Sequence, residues 1–374
     1  MAGYSSISIL PDDLIWEISQ CFLATNDLDA YVDFRGACRD WRRAIPNPRA
    51  DAKDPKFIPT KWIIARHSLK EDGKVTFINL STGRSICKDI SLLLNRYLFI
   101  GVAAGGLLVL RENRHPYKTR VVNPFTGAMV HFKAGIPWEQ VDAVAVTLSP
   151  MRVFATSLQR NYMTWIDETT EESASGWGFH DKCFGASQGC LVDMTLFAGD
   201  LYTTDVDGSI ISASDAAAAE KDHRQQLPAI LGPEAYAQEC HGNYFYLVES
   251  KGELLLVKEC RRPLYKGGPL VYKVDAVNKL LVPVWSLGSQ ALFLSNYRCL
   301  SVDASKLNTV EEGCIYYADY SMIIAYDYKI FPNDGWVEKQ PERVVELDPN
   351  HEDYDRPFSL AQILVDYCRT AEHE

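Results

Sequence analysis

Tyr246-Leu247-Val248-Glu249-Ser250-Lys251-Gly252-Glu253-Leu254-Leu255-Leu256-Val257 is the stretch whose reading decides the fold. Apolar runs at 244–248 and 253–257 flank a Ser-Lys-Gly turn, which is the pattern of a β-hairpin. The same grammar governs the chain from about residue 57 onward. Short runs rich in β-branched and aromatic residues alternate with turn signals at 62–65, 75–80, 107–110, 120–123 and 153–156. Others follow at 200–204, 209–212, 315–318 and 322–326. No long helical stripe intervenes before residues 359–368.

Glycine turns punctuate these runs at Gly83, Gly127, Gly208 and Gly252, spaced 44, 81 and 44 residues. Those gaps are one, two and one units of about 40 to 45 residues, the length of a four-stranded propeller blade. A turn near Asp167-Glu168 completes the series. The strands group near 57–94, 97–138, 141–180, 190–230, 236–288 and 290–348. The expected fold is therefore mainly β, a β-propeller of about six blades, with seven as the alternative count. A sandwich or large barrel is the structural alternative. Closure suits so many strands because it leaves few exposed edges.

Composition bounds the function. Apolar residues make up 47% and aromatics 11%, which excludes a disordered chain. A net charge of −11 argues against non-specific nucleic-acid or anionic-membrane binding. No apolar run is long enough for a membrane span, and the polar start does not read as a signal peptide. The ten cysteines form no C-x-x-C pair and no Cys/His cluster at zinc spacing, so they read as reduced core residues of a cytoplasmic or nuclear protein.

The first fifty residues differ from the rest. Pro11 suits a first helical turn, and Asp12, Asp13 and Glu17 complement the positive end of the helix dipole. Leu14, Ile15, Ile18 and Phe22 form one apolar stripe. Phe34, Cys38, Trp41 and Ile45 form a second, with Arg39, Arg42 and Arg43 at its end and Pro46 and Pro48 to stop it. Two or three short amphipathic helices are expected, and they must pack either on their own chain as a cap or on a partner.

This block resembles the F-box, the helical module that docks a substrate receptor onto a cullin-type ubiquitin ligase. The matching residues are Leu10, Pro11, Leu14, Ile15, Ile18, Leu28, Phe34, Arg35, Cys38, Trp41 and Arg42. The resemblance implies that they contact a Skp-type adaptor and, through it, cullin. Residues 26–33 are more acidic and less leucine-rich than the usual pattern.

The β region resembles the plant KIB-type propeller family that accompanies F-boxes. The likeness rests on Val122-Asn123-Pro124-Phe125-Thr126-Gly127, the hairpin quoted above, Val271-Tyr272-Lys273-Val274-Asp275, the stretch 286–294 and Gly313-Cys314-Ile315-Tyr316-Tyr317. It implies a plant source and a non-catalytic receptor. The expected organisation is an F-box-like module at 1–50, a propeller at 51–350 and an acidic, helical tail at 351–374. The expected function is the substrate-recognition subunit of an SCF-type E3 ligase, with a target protein held on the propeller. The alternative is a propeller interaction protein whose F-box no longer recruits a ligase.

Other motifs carry less. Gly185-Ala186-Ser187-Gln188-Gly189 matches a nucleophile elbow, but the residues after it read as a strand where the elbow needs a helix. Asp205-Val206-Asp207-Gly208 starts like a calcium loop and lacks the terminal Glu, so it reads as a hairpin turn. The eight histidines lack metal-binding spacing, and no phosphate or dinucleotide fingerprint occurs. Asp167, Glu168, Glu171 and Glu172 read as a solvated loop, Trp138, Trp165 and Trp177 as core, and 216–219 as a short insertion. No catalytic residue, metal or cofactor is expected.

Overall fold

The computed structural model describes residues 10–65, 73–90, 95–103, 105–136, 141, 143–157, 162–169, 171, 173–177, 194–204, 208–212, 229–231, 243–260, 268–295, 298–307, 309–319, 322–328, 343–346, 363–364 and 367–368. The chain divides into two compact units, Met1–Lys133 and Ala134–Glu374.

The first unit opens with helices α1 (Asp12–Ala24), α2 (Leu28–Gly36) and α3 (Arg39–Ala44). Asp12 and Asp13 fill the first turn of α1, and the Leu14 and Ile15 amides donate to the Pro11 carbonyl. α1 ends in a Schellman turn. Asn26 takes a left-handed φ of 54°, its amide donates to Leu23 O at 3.0 Å, and the Asp27 amide donates to Phe22 O at 2.8 Å. Asp27 then caps α2 by accepting from the Ala30 amide at 3.2 Å. The stripe expected to run unbroken from Phe34 to Ile45 lies on two helices. Cys38 breaks it with an extended backbone (φ −150°), and its Sγ accepts from the Trp41 amide at 3.4 Å to start α3.

Two sheets complete this unit. One holds β1 (Trp62–Ala65), β2 (Lys74–Asn79) and β3 (Ser85–Asp89) in that order. The next is the meander β4 (Tyr97–Ala103), β5 (Leu107–Glu112), β6 (Thr119–Val122) and β7 (Met129–His131).

The second unit has four sheets. Three are four-stranded antiparallel meanders. The first is β8 (Ala143–Leu148), β9 (Met151–Ser157), β10 (Tyr162–Asp167) and β11 (Ala174–Trp177). The second is β12 (Met194–Phe197), β13 (Asp200–Thr204), β14 (Ile210–Ser212) and β15 (Ala229–Leu231). The third is β16 (Asn243–Ser250), β17 (Glu253–Cys260), β18 (Leu270–Asp275) and β19 (Leu280–Pro283), and it contains the deciding hairpin paired from Asn243↔Cys260 to Ser250↔Glu253. The last sheet holds β20 (Gln290–Leu294), β21 (Leu300–Asp303), β22 (Cys314–Asp319), β23 (Met322–Asp327) and β24 (Arg343–Glu346). Its order is β21-β20-β22-β23-β24, with β20 and β22 parallel.

The expectation of about six four-stranded blades is therefore corrected. Five sheets reach four strands or more, and the first has three among the described residues. The glycine spacing follows the sheet repeat only between Gly83 and Gly127. Gly83 and Gly127 sit in the last hairpin of their sheets, Gly208 precedes β14, and Gly252 sits in a first hairpin.

Packing explains why the strands read as they do. Along β17 successive side chains enter different clusters. Leu254 and Leu256 meet Ile210, while Leu255 and Val257 meet Leu292 and Ile315. The β16–β19 sheet thus has both faces buried against its neighbours. Ala143, Phe154 and Met163 meet Met194 and Leu201 in the same manner. Strands such as β20 are buried at every position, so they read as continuous apolar runs. The described part of the C-terminal segment joins this unit: Leu364, Tyr367 and Cys368 are buried, and Ser295 Oγ donates to the Cys368 carbonyl.

Candidate docking surface

Sequence alone left two options for the helices, packing on their own chain or on a partner. Their inner face packs on their own chain. Ile15, Leu28, Tyr31 and Ile45 share one core with Trp62, Phe77, Leu108, Val122 and Phe125, and Phe22, Phe34 and Trp41 pack against it.

Polar contacts fix the seating. Asn26 Nδ2 donates to Ile58 O at 2.8 Å, and Asn26 Oδ1 accepts from the Lys61 amide at 3.0 Å. The Asn26 carbonyl accepts from Trp62 Nε1 at 2.7 Å. Asn79 and Asn123 play matching parts in their sheets. Each caps its own Asn-x-x-Thr-Gly turn with its side-chain oxygen. Each also donates from Nδ2 into the N-terminal segment, Asn79 to Thr25 O at 3.2 Å and Asn123 to Phe57 O at 2.6 Å. Gly127 is favoured here because its φ of 70° strains any other residue, and a Cβ would also crowd the Arg49 guanidinium at 3.1 Å.

The acidic segment 26–33, where the chain departs from the F-box pattern, is where the helices clamp to the first sheet. Arg84 bonds both Asp27 oxygens at 2.8 and 2.9 Å and Asp29 at 3.0 Å, and Lys88 pairs with Asp29. The hydrogen bond that Arg84 donates to Asp27 is the main influence raising the Arg84 pKa. Tyr31 is buried and donates to Pro46 O at 2.9 Å; burial pushes its hydroxyl pKa up to about 12, against the pull of Arg35.

The predicted contact residues separate by exposure. Ile15 and Leu28 are buried in the chain's own core. Ile18, Phe34, Arg35, Cys38 and Trp41 are half-buried; the Phe34 and Trp41 rings meet at 4.4 Å, tilted by 32°, and Cys38 serves as the α3 cap. Leu10, Pro11, Leu14 and Arg42 are exposed. Leu14 is thus corrected from a core stripe to an outer flank. At about 100° per residue it stands a quarter-turn or so from the inward Ile15. Trp16 stands the same angle away on the other side, half-exposed. Sequence reasoning missed Trp16, although its angular position was available.

This surface is an exposed apolar flank of α1. An exposed apolar flank of this kind can bind a protein. Among the described residues no group of three or more His, Cys, Asp or Glu could hold a metal. No helix among them is long and apolar enough to cross a membrane. The Gly185–Gly189 motif, residues 205–207, 216–219, Trp138 and Glu172 lie outside the described residues. Asp167 accepts from the Thr169 amide at 2.7 Å as an Asx turn, and Trp165 packs half-buried on the Phe154 cluster.

The profile of a family described as "KIB1-4 beta-propeller" matches residues 69–337, well over half the chain. No curated protein matches. Among solved structures, Hsv2 of Kluyvelomyces marxianus is 8% identical at a TM-score of 0.25, covering 57% of this chain and 80% of that one. The extracellular domain of the one-component system BT4673 of B. thetaiotaomicron is 12% identical at a TM-score of 0.32, covering 69% of this chain and 30% of that one. Superpositions this loose have no bearing on function.

Proposed function

This chain belongs to the KIB1-4 β-propeller family, and from that premise we propose that it is the substrate-recognition subunit of an SCF-type cullin–RING E3 ubiquitin ligase. The helices dock the Skp-type adaptor, and the propeller carries a target protein. The protein performs no bond chemistry itself. It raises the concentration of target beside a ubiquitin-charged enzyme.

One observation carries the reading. Helices already satisfied on their inner face still expose Leu10 (37%) and Leu14 (44%) beside Pro11, a flank that matches the F-box contact pattern. A pull-down with recombinant Skp-type adaptor tests it, comparing wild type with a Leu10→Asp/Leu14→Asp variant. These positions are preferable to Trp41, whose truncation also opens the core. Recovery by wild type and loss in the variant is expected. Equal recovery, or none from wild type, overturns the reading.

The clamp of Asp27 and Asp29 onto Arg84 and Lys88 favours a second reading. In it the helices are a cap on the propeller, and the protein binds its partner without recruiting a ligase. Stable target complexes devoid of adaptor would support that alternative.

A further inference from the structure

The tip of the β5–β6 hairpin stands out in this acidic chain. From Asn95 to Arg120 the sequence holds one acid, Glu112, and that acid is ion-paired to Arg120. The same stretch carries Arg96, Arg111, Arg114 and Lys118. Topology gathers them: the Asn113 amide donates to Arg96 O at 3.2 Å, and the Glu112 amide to Lys118 O at 3.0 Å. A cationic knob therefore projects from a protein of net charge −11.

The knob also has a held aromatic. Tyr117 adopts a left-handed φ of 59°, unusual for a bulky side chain, and its amide donates to Arg114 O at 2.9 Å. Its ring lies over the Arg111 guanidinium at 4.6 Å and meets the His115 ring edge-on at 5.8 Å. It remains 42% exposed. Leu98, directly opposite Arg111 in the strand register, is 41% exposed. Two partly exposed apolar surfaces thus lie beside the buried Arg111, with Arg96 and Arg114 exposed and Lys118 half-buried at the same tip. Strain of this sort persists where the surroundings over-determine it, and such places concentrate at binding sites.

We propose that the β5–β6 tip is a docking site for an acidic peptide segment carrying an aromatic or aliphatic residue. The carboxylates face Arg96, Arg114 and Lys118, and the apolar side chain packs on Tyr117 and Leu98. A peptide fits better than a nucleic acid, because the site sets an apolar wall beside its cations and the chain as a whole carries a net charge of −11, which disfavours an extended polyanion. The inference is independent of the adaptor reading, and its test uses no ligase component.

The test is fluorescence anisotropy on the purified full chain with a fluorescein-labelled peptide of Asp, Glu and Phe. Saturable binding that weakens with salt is expected. Arg114→Glu/Lys118→Glu weakens it by about tenfold or more, as expected for reversing two contacting charges. Tyr117→Gly weakens it several-fold while leaving the melting temperature equal or higher, because glycine adopts this backbone freely. No saturable binding by wild type overturns the proposal, as does unchanged affinity in both variants. Equally tight binding of a single-stranded RNA oligonucleotide, weakened by the same substitutions, would reassign the tip to nucleic acid and overturn it too.

Discussion

Replacing Asn26 tests the seating of the helices most directly. Its side chain makes two hydrogen bonds, a buried one to Ile58 O at 2.8 Å and a partly buried one from the Lys61 amide at 3.0 Å. Each contributes about 1 kcal/mol, and a partner left buried and unpaired raises the loss. The left-handed backbone at φ 54° costs alanine about 1 kcal/mol more and glycine nothing comparable. Asn26→Ala is therefore expected to destabilise by about 3 kcal/mol, and Asn26→Gly by about 2 kcal/mol. The bonds to the Asn26 carbonyl from Trp62 and Asn79 survive both changes. Urea denaturation followed by circular dichroism measures the difference. An Ala variant within about 0.5 kcal/mol of wild type would refute the seating argument. Equal losses for Ala and Gly would refute its backbone half.

Tyr31 gives an alkaline signature. Its folded pKa is raised from 10.0 to about 12, so its contribution is complete below pH 10 and lost as pH climbs through about 12. Tyr31→Phe should cost about 1 kcal/mol at neutral pH through the lost bond to Pro46 O, yet fall less steeply above pH 10. Denaturation across that range distinguishes the two slopes. Arg84→Met should cost about 1 kcal/mol, its ion pairs being partly exposed, and the loss should shrink at high salt; urea midpoints at two salt concentrations check this. A fragment of residues 1–50 should show little helical circular dichroism, whereas Met1–Lys133 should fold, because the core of the helices is completed by β1–β7.

Sequence revealed the inner strands and hid the outer ones. β5 and β22 are apolar runs because nearly every described position in them is buried, and β17 because both its faces meet neighbouring sheets. β3 (Ser-Ile-Cys-Lys-Asp) alternates exposed and half-buried, and β7 is exposed or half-exposed throughout, so neither carries an apolar run to read. The parallel pairing of β20 with β22 depends on which edge β21 takes, and no local pattern encodes that. Glycine spacing misled for a related reason. A hairpin turn has the same composition wherever it falls in a sheet.

The helical module was legible as helices and less so as a surface. Its stripe grouped Leu14 with Ile15, although helix geometry turns them apart. The acidic segment 26–33 looked like a weakened family pattern because its partners, Arg84 and Lys88, lie more than fifty residues away along the chain. A long-range ion pair leaves no local signature.

The stretch 46–58 between helices and sheets acts as a strut. Pro46 accepts from Tyr31, Arg49 Nε donates to Thr126 O, Phe57 O accepts from Asn123, and Phe57 and Ile58 are buried. A load applied to α1 therefore passes through this stretch into the turn between β6 and β7. Whatever grips that helix grips the first unit as one piece, and its reach is set by backbone geometry instead of tether length. Splicing a flexible insert into 46–58 would not extend an arm. It would pull out the bolts that mount it.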